Sequence, residues 1–460
     1  MKLSEYLGLP LPCGGAGRCG RCKVTVSGQL SPLTNAEKSL LTQEELDAHV
    51  RLACQVEIQG DFWLHAAEEE RLSVQLDFPP LPEDMVTSPA SSKSIGVVVD
   101  IGTTTLAAYW YDLSTGQLIK RQAAANPQRL FGADVISRLS HAQNGKAMQL
   151  TACLRQAVAG LLPDRYDSLV ITGNTVMLYF LCGYDTAELA TAPFTVSHHF
   201  GKQFDNVIIP PCFSAYVGAD LATGALAAGF HKKTEKPALL LDIGTNGEML
   251  LASQGKLFGA SAAAGPAFEG GGISCGLPSA QGAICHVNAD LSYETIDGTI
   301  PKGYCGSGIL DITAALLSEG CLTENGYLVK WLSASLPELT QQDIREIQLA
   351  KSAIRAGCEA LLKTGGADLP DTLYLAGGFG SQLRPSSARR IGLLPPARCH
   401  IALGNAAARG AAMLLLNPSL LSDLNALAER FTLVELANDP FFSDAFMQFM
   451  AFPSGNLSDT

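Results

Sequence analysis

Four cysteines near the start of the chain, Cys13, Cys19, Cys22 and Cys54, are spaced as a thiolate ligand set. Five residues separate the first two, two separate the next pair, and the fourth follows in the string RLACQ. Iron–sulfur clusters are held by four thiolates, commonly three from one loop and one from elsewhere. Gly14, Gly15, Gly17 and Gly20 let such a loop wrap closely and turn amides toward sulfur, and Arg18, Arg21 and Lys23 offset its negative charge. Zinc also uses C-x2-C. There is no second C-x2-C partner for a zinc knuckle, and the loop is rich in glycine, so a [2Fe–2S] cluster is the favoured reading.

A second kind of chemistry is written twice. The strings VVVDIGTTTLAAYW and LLLDIGTNGEMLLA align without a gap, about 140 residues apart. Each is an apolar run, an aspartate, a glycine turn with small polar residues, and a returning apolar run. This predicts two strand–turn–strand units in two related lobes. Gly102 and Gly244 open the backbone for phosphate. Thr103, Thr104, Thr105, Thr245 and Asn246 add donors. Asp100 and Asp242 repel phosphate but suit Mg²⁺ held through water. Glu248 ends the second turn, where it either orients an attacking water or faces solvent as an ordinary strand residue. In TLYLAGGFGS, Gly377 and Gly378 follow a predicted strand and permit close passage of a nucleoside. In GYCGSGILD, Gly306 and Ser307 are candidates for the same pocket, and Cys305 reads as a small residue in a tight turn rather than a reactive thiol.

These residues need elements to hold them. The 460 residues allow several domains and a large core. Residues 1–76 read as the cluster domain, with KLSEYLGL as its first helix and Arg71 to Leu76 as a closing strand. Residues 77–94, rich in proline and serine, read as an extended linker. Residues 95–236 and 237–460 form the two lobes, the second with a C-terminal extension. The cysteine spacing resembles the adrenodoxin-type ferredoxin. Such a domain normally opens with a β-hairpin, and none precedes the first helix here, so a shortened β-grasp domain is expected.

The net charge is −12 and the pI about 5.2, which excludes nucleic acid as the main partner. No apolar run is long enough to span a membrane, and no signal peptide is evident, so a cytoplasmic protein is expected. Thirteen cysteines in that compartment point to metal ligation and buried small residues rather than disulfides.

The order of motifs resembles the ASKHA superfamily of actin, Hsp70 and sugar kinases. Asp100–Thr105 and Asp242–Glu248 match its phosphate loops. Leu169–Met177 and Leu403–Ala412 match its connectors, and Leu375–Gly380 its adenosine loop. More narrowly, NPQRLFGADVISRL, AYVGAD, AAGPAFEGGGI, GYCGSGILD and VELANDPFF resemble the reductive activators of corrinoid proteins. These couple a [2Fe–2S] domain to a DUF4445-type ATPase. Longer members carry an additional domain where this chain has only the linker. The resemblance implies an α/β ASKHA ATPase that uses ATP and Mg²⁺ to pass one electron to cob(II)alamin. It further implies a corrinoid methyltransferase partner, an electron donor left unidentified, and a homodimer. Three alternatives stay open at this point: an activator of another low-potential metalloenzyme, a redox-sensing switch of actin or Hsp70 type, and a small-molecule kinase bearing a ferredoxin.

Overall fold

A computed structural model describes residues 2–7, 16–18, 20, 22–65, 76–82, 85, 94–132, 134–232, 236–244 and 246–454. Cys13, Cys19, Thr245 and most of the expected closing strand at 71–76 lie outside the described residues. In the first domain, α1 (Leu3–Leu7), β1 (Lys23–Leu30), α2 (Asn35–Leu40), α3 (Gln43–Asp47), β2 (Val50–Leu52) and β3 (Ile58–His65) surround a small core. The described strands form an antiparallel sheet in the order β2-β1-β3. Thr34 and Glu37 cap α2 reciprocally. The buried Glu37 carboxylate also accepts from Arg51 Nε at 2.8 Å and from the Leu52 amide at 3.1 Å. That pairing holds the strand next to Cys54.

The first large sheet uses β4 (Ile95–Ile101), β5 (Thr105–Asp112), β6 (Leu118–Ala125), β7 (Ser168–Gly173), β8 (Lys202–Phe204) and β9 (Val207–Ile209), in the order β6-β5-β4-β7-β9-β8. Between its strands run α4 (Val135–His141), α5 (Ala147–Gly160), α6 (Thr175–Cys182) and α7 (Ala187–Ala190), and α8 (Ala219–Ala227) follows β9. The second large sheet uses β10 (Ala238–Ile243), β11 (Gly247–Ser253) and β12 (Lys256–Ala262). The short strands β13 (Ala283–Val287), β14 (Tyr293–Thr295) and β15 (Gly303–Tyr304) form a separate sheet. After α9 (Gly306–Ser318) and α10 (Gln341–Thr364), the chain returns through β16 (Thr372–Ala376), α11 (Gly377–Gln382), α12 (Pro385–Arg390) and β17 (Cys399–Gly404). It ends with α13 (Ala406–Leu416), α14 (Leu420–Glu429), β18 (Phe431–Leu433) and α15 (Pro440–Phe449). The second sheet has the order β17-β16-β10-β11-β12-β18.

The duplicated strings become duplicated topology. In each large sheet an antiparallel meander (β4-β5-β6, β10-β11-β12) is extended by a parallel strand on the far side (β7, β16). Strand periodicity divides the side chains. Val97, Val99 and Ile101 enter the core under the first sheet, and Leu239, Leu241 and Ile243 the core under the second. Val98 and Leu240 point into a third core that both sheets share with α8 and α13. Both faces of each sheet are therefore covered, which is why the strands read as continuous apolar runs.

The helices α8 (ADLATGALA) and α13 (AAARGAAMLLL) cross in that shared core and are built from small residues. The crossing is very close: a Cβ on Gly410 would lie 1.8 Å from the Thr223 carbonyl oxygen. At the other end of the chain, α15 is fastened to α10. The buried Lys351 ammonium donates to the Phe449 carbonyl and, at 2.8 Å, to that of Ala451. Burial lowers its pKa to about 7.

The crossing yields a prediction. Gly410→Ala forces backbone apart in a packed interior and destabilises the protein by about 1–3 kcal/mol. Urea unfolding monitored by far-UV circular dichroism measures this.

Candidate functional site

The first turn leaves β4 at Asp100 and enters β5 at Thr105. The Gly102 amide donates to the Thr105 carbonyl at 3.0 Å. That amide is thus used inside the turn, and the Thr103 and Thr104 amides, with no hydrogen bond among the described residues, are the ones left for a ligand. Three side chains hold the turn from behind. Asn126 Nδ2 donates to the Gly102 carbonyl at 2.9 Å, Arg138 Nη2 to the Thr103 carbonyl at 2.6 Å, and Asn174 Nδ2 to Thr103 Oγ1 at 3.1 Å. Arg138 is fully buried, and desolvation lowers its pKa to about 10. It keeps a positive charge beneath the loop. None of these three stood out in the sequence as a site residue, although Asn126 and Arg138 fall within the NPQRLFGADVISRL string.

The second turn is built alike: the Gly244 amide donates to the Asn246 carbonyl at 2.9 Å. Asp242 and Glu248 face one another in register on β10 and β11. The adenosine-loop candidate lies against this turn. Gly377, at φ +78°, sits where a Cβ would come 2.4 Å from Asp242 Oδ1, whereas Gly378 is exposed with open space around it. Only glycine fits at Gly377, for both reasons. Gly306 and Ser307 begin α9 but are buried. Gly306 is pressed under the stacked rings of Phe268 and Phe379, whose centroids are 5.2 Å apart. Gly306 thus packs against Phe379 of the adenosine loop, and the Ser307 hydroxyl lies 3.4 Å from the Cys305 thiol. Cys305 is buried beside them, with its thiol 3.5 Å from the Ile284 carbonyl, as a small residue in a turn.

The defining feature is a group of carboxyls. Desolvation by surrounding protein raises each of them, although each keeps part of its surface open. Asp100 is raised to about 6, with Asn405 Nδ2 donating to it at 2.8 Å as the opposing influence. Asp242 is raised to about 7, with repulsion from Asp100 and Glu269 added. Asp220, at the start of α8, is raised to about 7, with repulsion from Asp100 and Asp242. Glu248 is raised well above the carboxylate range by desolvation and by Asp220 and Asp242. Asp220 is a residue that sequence reasoning did not single out. The glycine before it in AYVGAD is the available signal: a Cβ on Gly218 would strike Asn174 Cα at 2.6 Å, so this loop must press against the first connector. Among the described residues no three acidic, histidine or cysteine side chains converge closely enough to ligate a metal directly.

At the other candidate centre, Cys22 and Cys54 are both buried in the small core of the first domain, and the Ala53 amide donates to the Cys22 carbonyl at 2.8 Å. Gln55 Nε2 lies 3.4 Å from Cys54 Sγ, a donor of the kind that cluster sulfurs accept. Gly17 and Gly20 both have φ near +65°. These features fit a thiolate-bound cluster.

Comparisons with known proteins agree with this arrangement. Residues 3–59 match the 2Fe-2S iron-sulfur cluster binding domain, 95–233 the RACo middle region, and 236–460 the C-terminal domain of RACo, the ASKHA domain. The corrinoid activation enzyme RamQ of Eubacterium limosum is 31% identical over 431 residues, spanning 79% of this chain and 71% of that protein. This chain belongs to the family of reductive activators of corrinoid proteins. Another member, the [Co(II) methylated amine-specific corrinoid protein] reductase of Methanosarcina barkeri, is 27% identical over 397 residues, with 73% of each chain covered. A solved reductive activator for corrinoid, iron-sulfur protein superposes with a TM-score of 0.69 at 25% identity, covering 98% of this chain and 96% of that one. The family accounts for the α/β ASKHA fold with its ferredoxin-like N-terminal domain, a [2Fe–2S] cluster and a nucleotide site. No helix among the described residues is long and apolar enough to cross a membrane.

The carboxyl group has a thermodynamic consequence. A carboxyl whose folded pKa is raised stays protonated in the native state while the unfolded chain ionises, so stability falls as pH rises from about 4 toward 7. The nucleotide-free protein should therefore melt higher at pH 6 than at pH 8. Asp220→Asn, which removes one charge, should raise its melting temperature at pH 8 by roughly 2–4 °C per kcal/mol relieved. Calorimetry at the two pH values checks both.

Proposed function

We propose that this activator uses ATP to pass one low-potential electron from its cluster to a corrinoid protein, returning cob(II)alamin to cob(I)alamin for methyl transfer. The observation that carries the reading is the carboxyl group at the meeting point of two phosphate loops, in one chain with a ferredoxin-type cysteine set. Family membership supports the corrinoid substrate.

Cys13, Cys19, Cys22 and Cys54 would hold the [2Fe–2S] cluster, which supplies a one-electron donor. Plant-type [2Fe–2S] centres sit near −400 mV. A shortfall of about 120 mV against the cobalt couple is a hundredfold penalty for a one-electron step. ATP would offset it by altering the lobes and, through them, the docked corrinoid protein. The nucleotide acts here as a conformational switch rather than a donor of phosphate to a metabolite.

The site divides the work. Asp100 and Asp242 organise Mg²⁺ and its waters. The backbone and side chains of Thr103, Thr104, Thr105, Thr245 and Asn246 hold phosphates around the turns made by Gly102 and Gly244. Gly377 and Gly378 border the nucleoside, with Gly306, beside Ser307, supporting that wall through Phe379. Glu248, whose carboxyl is raised by desolvation and by Asp220 and Asp242, would orient the attacking water. Asp220, beside Asp100 and Asp242, would add a further carboxyl for the ion's waters. The protein works as a cytoplasmic homodimer fed by a low-potential donor.

Two measurements test this. Chemically reduced protein mixed anaerobically with a cob(II)alamin-form corrinoid protein should develop cobalt(I) absorbance only with Mg-ATP, and Asp242→Asn should lower that rate at least about a hundredfold. An equal rate without ATP, or no cobalt(I) despite a full cluster and intact ATP hydrolysis, favours a different metalloenzyme partner or a redox-sensing role. Separately, iron analysis should give two iron atoms per chain, lost in Cys54→Ser. One [4Fe–4S] cluster shared by two chains has the same iron ratio, so electron paramagnetic resonance of the reduced protein decides between them: a [4Fe–4S] signal, or zinc, would contradict the assignment.

A further inference from the structure

Proline-rich composition marks residues 77–94 as an extended connector, yet the part described, Leu76–Pro82 and Met85, is docked. Leu76, Phe78, Leu81 and Met85 pack on the core shared by the two large sheets. Phe78 lies against Tyr109 of β5, with ring centroids 5.4 Å apart. Asp77 pairs with Arg121 of β6. On the opposite side, the Asp77 carbonyl accepts the Asn405 amide at 3.2 Å. Arg409 of α13 reaches the Pro79 and Pro80 carbonyls at 3.2 and 3.3 Å while donating to Ala227 of α8 at 2.9 Å. Gly404, at φ +63°, leaves room for this segment, since a Cβ there would lie 2.3 Å from the Asp77 oxygen. The segment is thus tied to β5 and β6 of the first sheet and to the β17–α13 junction of the second.

One of its anchors belongs to the nucleotide site. Asn405, whose amide holds Asp77, extends Nδ2 to Asp100 Oδ2 at 2.8 Å and lies 3.4 Å from the Tyr109 hydroxyl. Asn405 and Tyr109 therefore each touch the docked segment on one side and belong to the Asp100 environment on the other.

We propose that the docked segment 76–82 is the coupling element between the nucleotide site and the cluster domain. Asn405 acts as the positioning residue that reads Asp100, and Arg409 and Phe78 serve as the clasps. The inference rests on the site binding nucleotide, as proposed above. When Mg²⁺ and nucleotide draw on Asp100, the Asn405 contact and the spacing of the two sheets change. A segment clasped from both sides cannot satisfy both sets of anchors through that change. It loosens, and the cluster domain it tethers gains freedom to reach a partner. Coupling between binding equilibria is reciprocal, so undocking the segment must alter nucleotide affinity by the same factor.

The test uses the full chain and needs no corrinoid protein. Amide exchange at the segment's hydrogen bonds, the Asn405 N–H that donates to the Asp77 carbonyl and the Met85 N–H that donates to the Pro82 carbonyl, is followed with and without a non-hydrolysable ATP analogue and Mg²⁺, and analogue affinity is measured by calorimetric titration. Exchange should accelerate about fivefold or more on binding. Arg409→Ala and Phe78→Ala should shift analogue affinity by a comparable factor while keeping the wild-type circular dichroism. Phe78→Tyr should retain wild-type behaviour. Should either alanine variant fail to fold, Arg121→Ala removes the first-sheet anchor from an exposed position and serves in its place. If the analogue binds and the segment's exchange does not move, or the segment undocks with no change in affinity, the coupling is overturned while the ATPase reading stands. If the wild-type chain binds no analogue, both fall.

Discussion

Carboxyls that are costly to ionise together govern this molecule. Asp100 comes from the first sheet, Asp242 and Glu248 from the second, and Asp220 from the helix between them. Protein desolvates all four, and they repel one another. Among the ion pairs of the described residues, none includes any of the four. The cation at hand, Arg138, is turned to the Thr103 carbonyl instead. Such a group is a standing instability, and opposite charge supplied from outside relieves it. Because the carboxyls are divided between two sheets, their repulsion opposes approach of the sheets, and the hydrated divalent ion proposed for this site would favour it. Binding and movement of the lobes are then one equilibrium rather than cause and consequence.

The shared core lets that equilibrium act. Between the sheets lie α8 and α13, made largely of alanine and glycine, with Gly410 against Thr223 and Gly224 against Leu240. Helices that meet through small side chains have little interdigitation to undo, so one can slide on the other at modest cost. Shear of packed helices is a recognised route of domain closure. The cores beneath each sheet are separate and are filled with leucine, isoleucine and valine. Each half thus has its own core of large aliphatic side chains, and small residues fill the seam between them.

Much of this was legible in the chain. The paired DIGT strings gave both hairpins and the two acidic residues at their ends, because a strand, a glycine turn and a returning strand are local. The cysteine spacing gave the cluster domain for the same reason. What escaped was non-local. Asn405 meets Asp100 across some three hundred residues, and Asn126, Arg138 and Asn174 reach the first turn only after the sheet has formed. Asp220 is one aspartate among many until α8 aims it at the others. Gly306 was legible as a candidate for the nucleotide pocket, but its packing against the Phe268 carbonyl and the Phe379 ring was not. The linker misled in a more instructive way. Prolines lack the amide donor but keep the carbonyl, and Arg409 uses those carbonyls, so a composition typical of solvated tethers also makes a good acceptor strip for a guanidinium.

That last point bears on why a cluster and an ATPase share one chain. A freely swinging tether would bring the cluster to its partner whatever nucleotide was bound, and ATP would be hydrolysed without directing the electron. A rigid tether would hold the cluster in one place in every state. A segment held by weak, individually replaceable contacts lies between these limits. Here they are one guanidinium, one tilted ring contact, one backbone hydrogen bond and one exposed ion pair, the last worth little alone. Placing one of those contacts on Asn405, already committed to Asp100, ensures that the event which loosens the tether is the arrival of charge at the carboxyls.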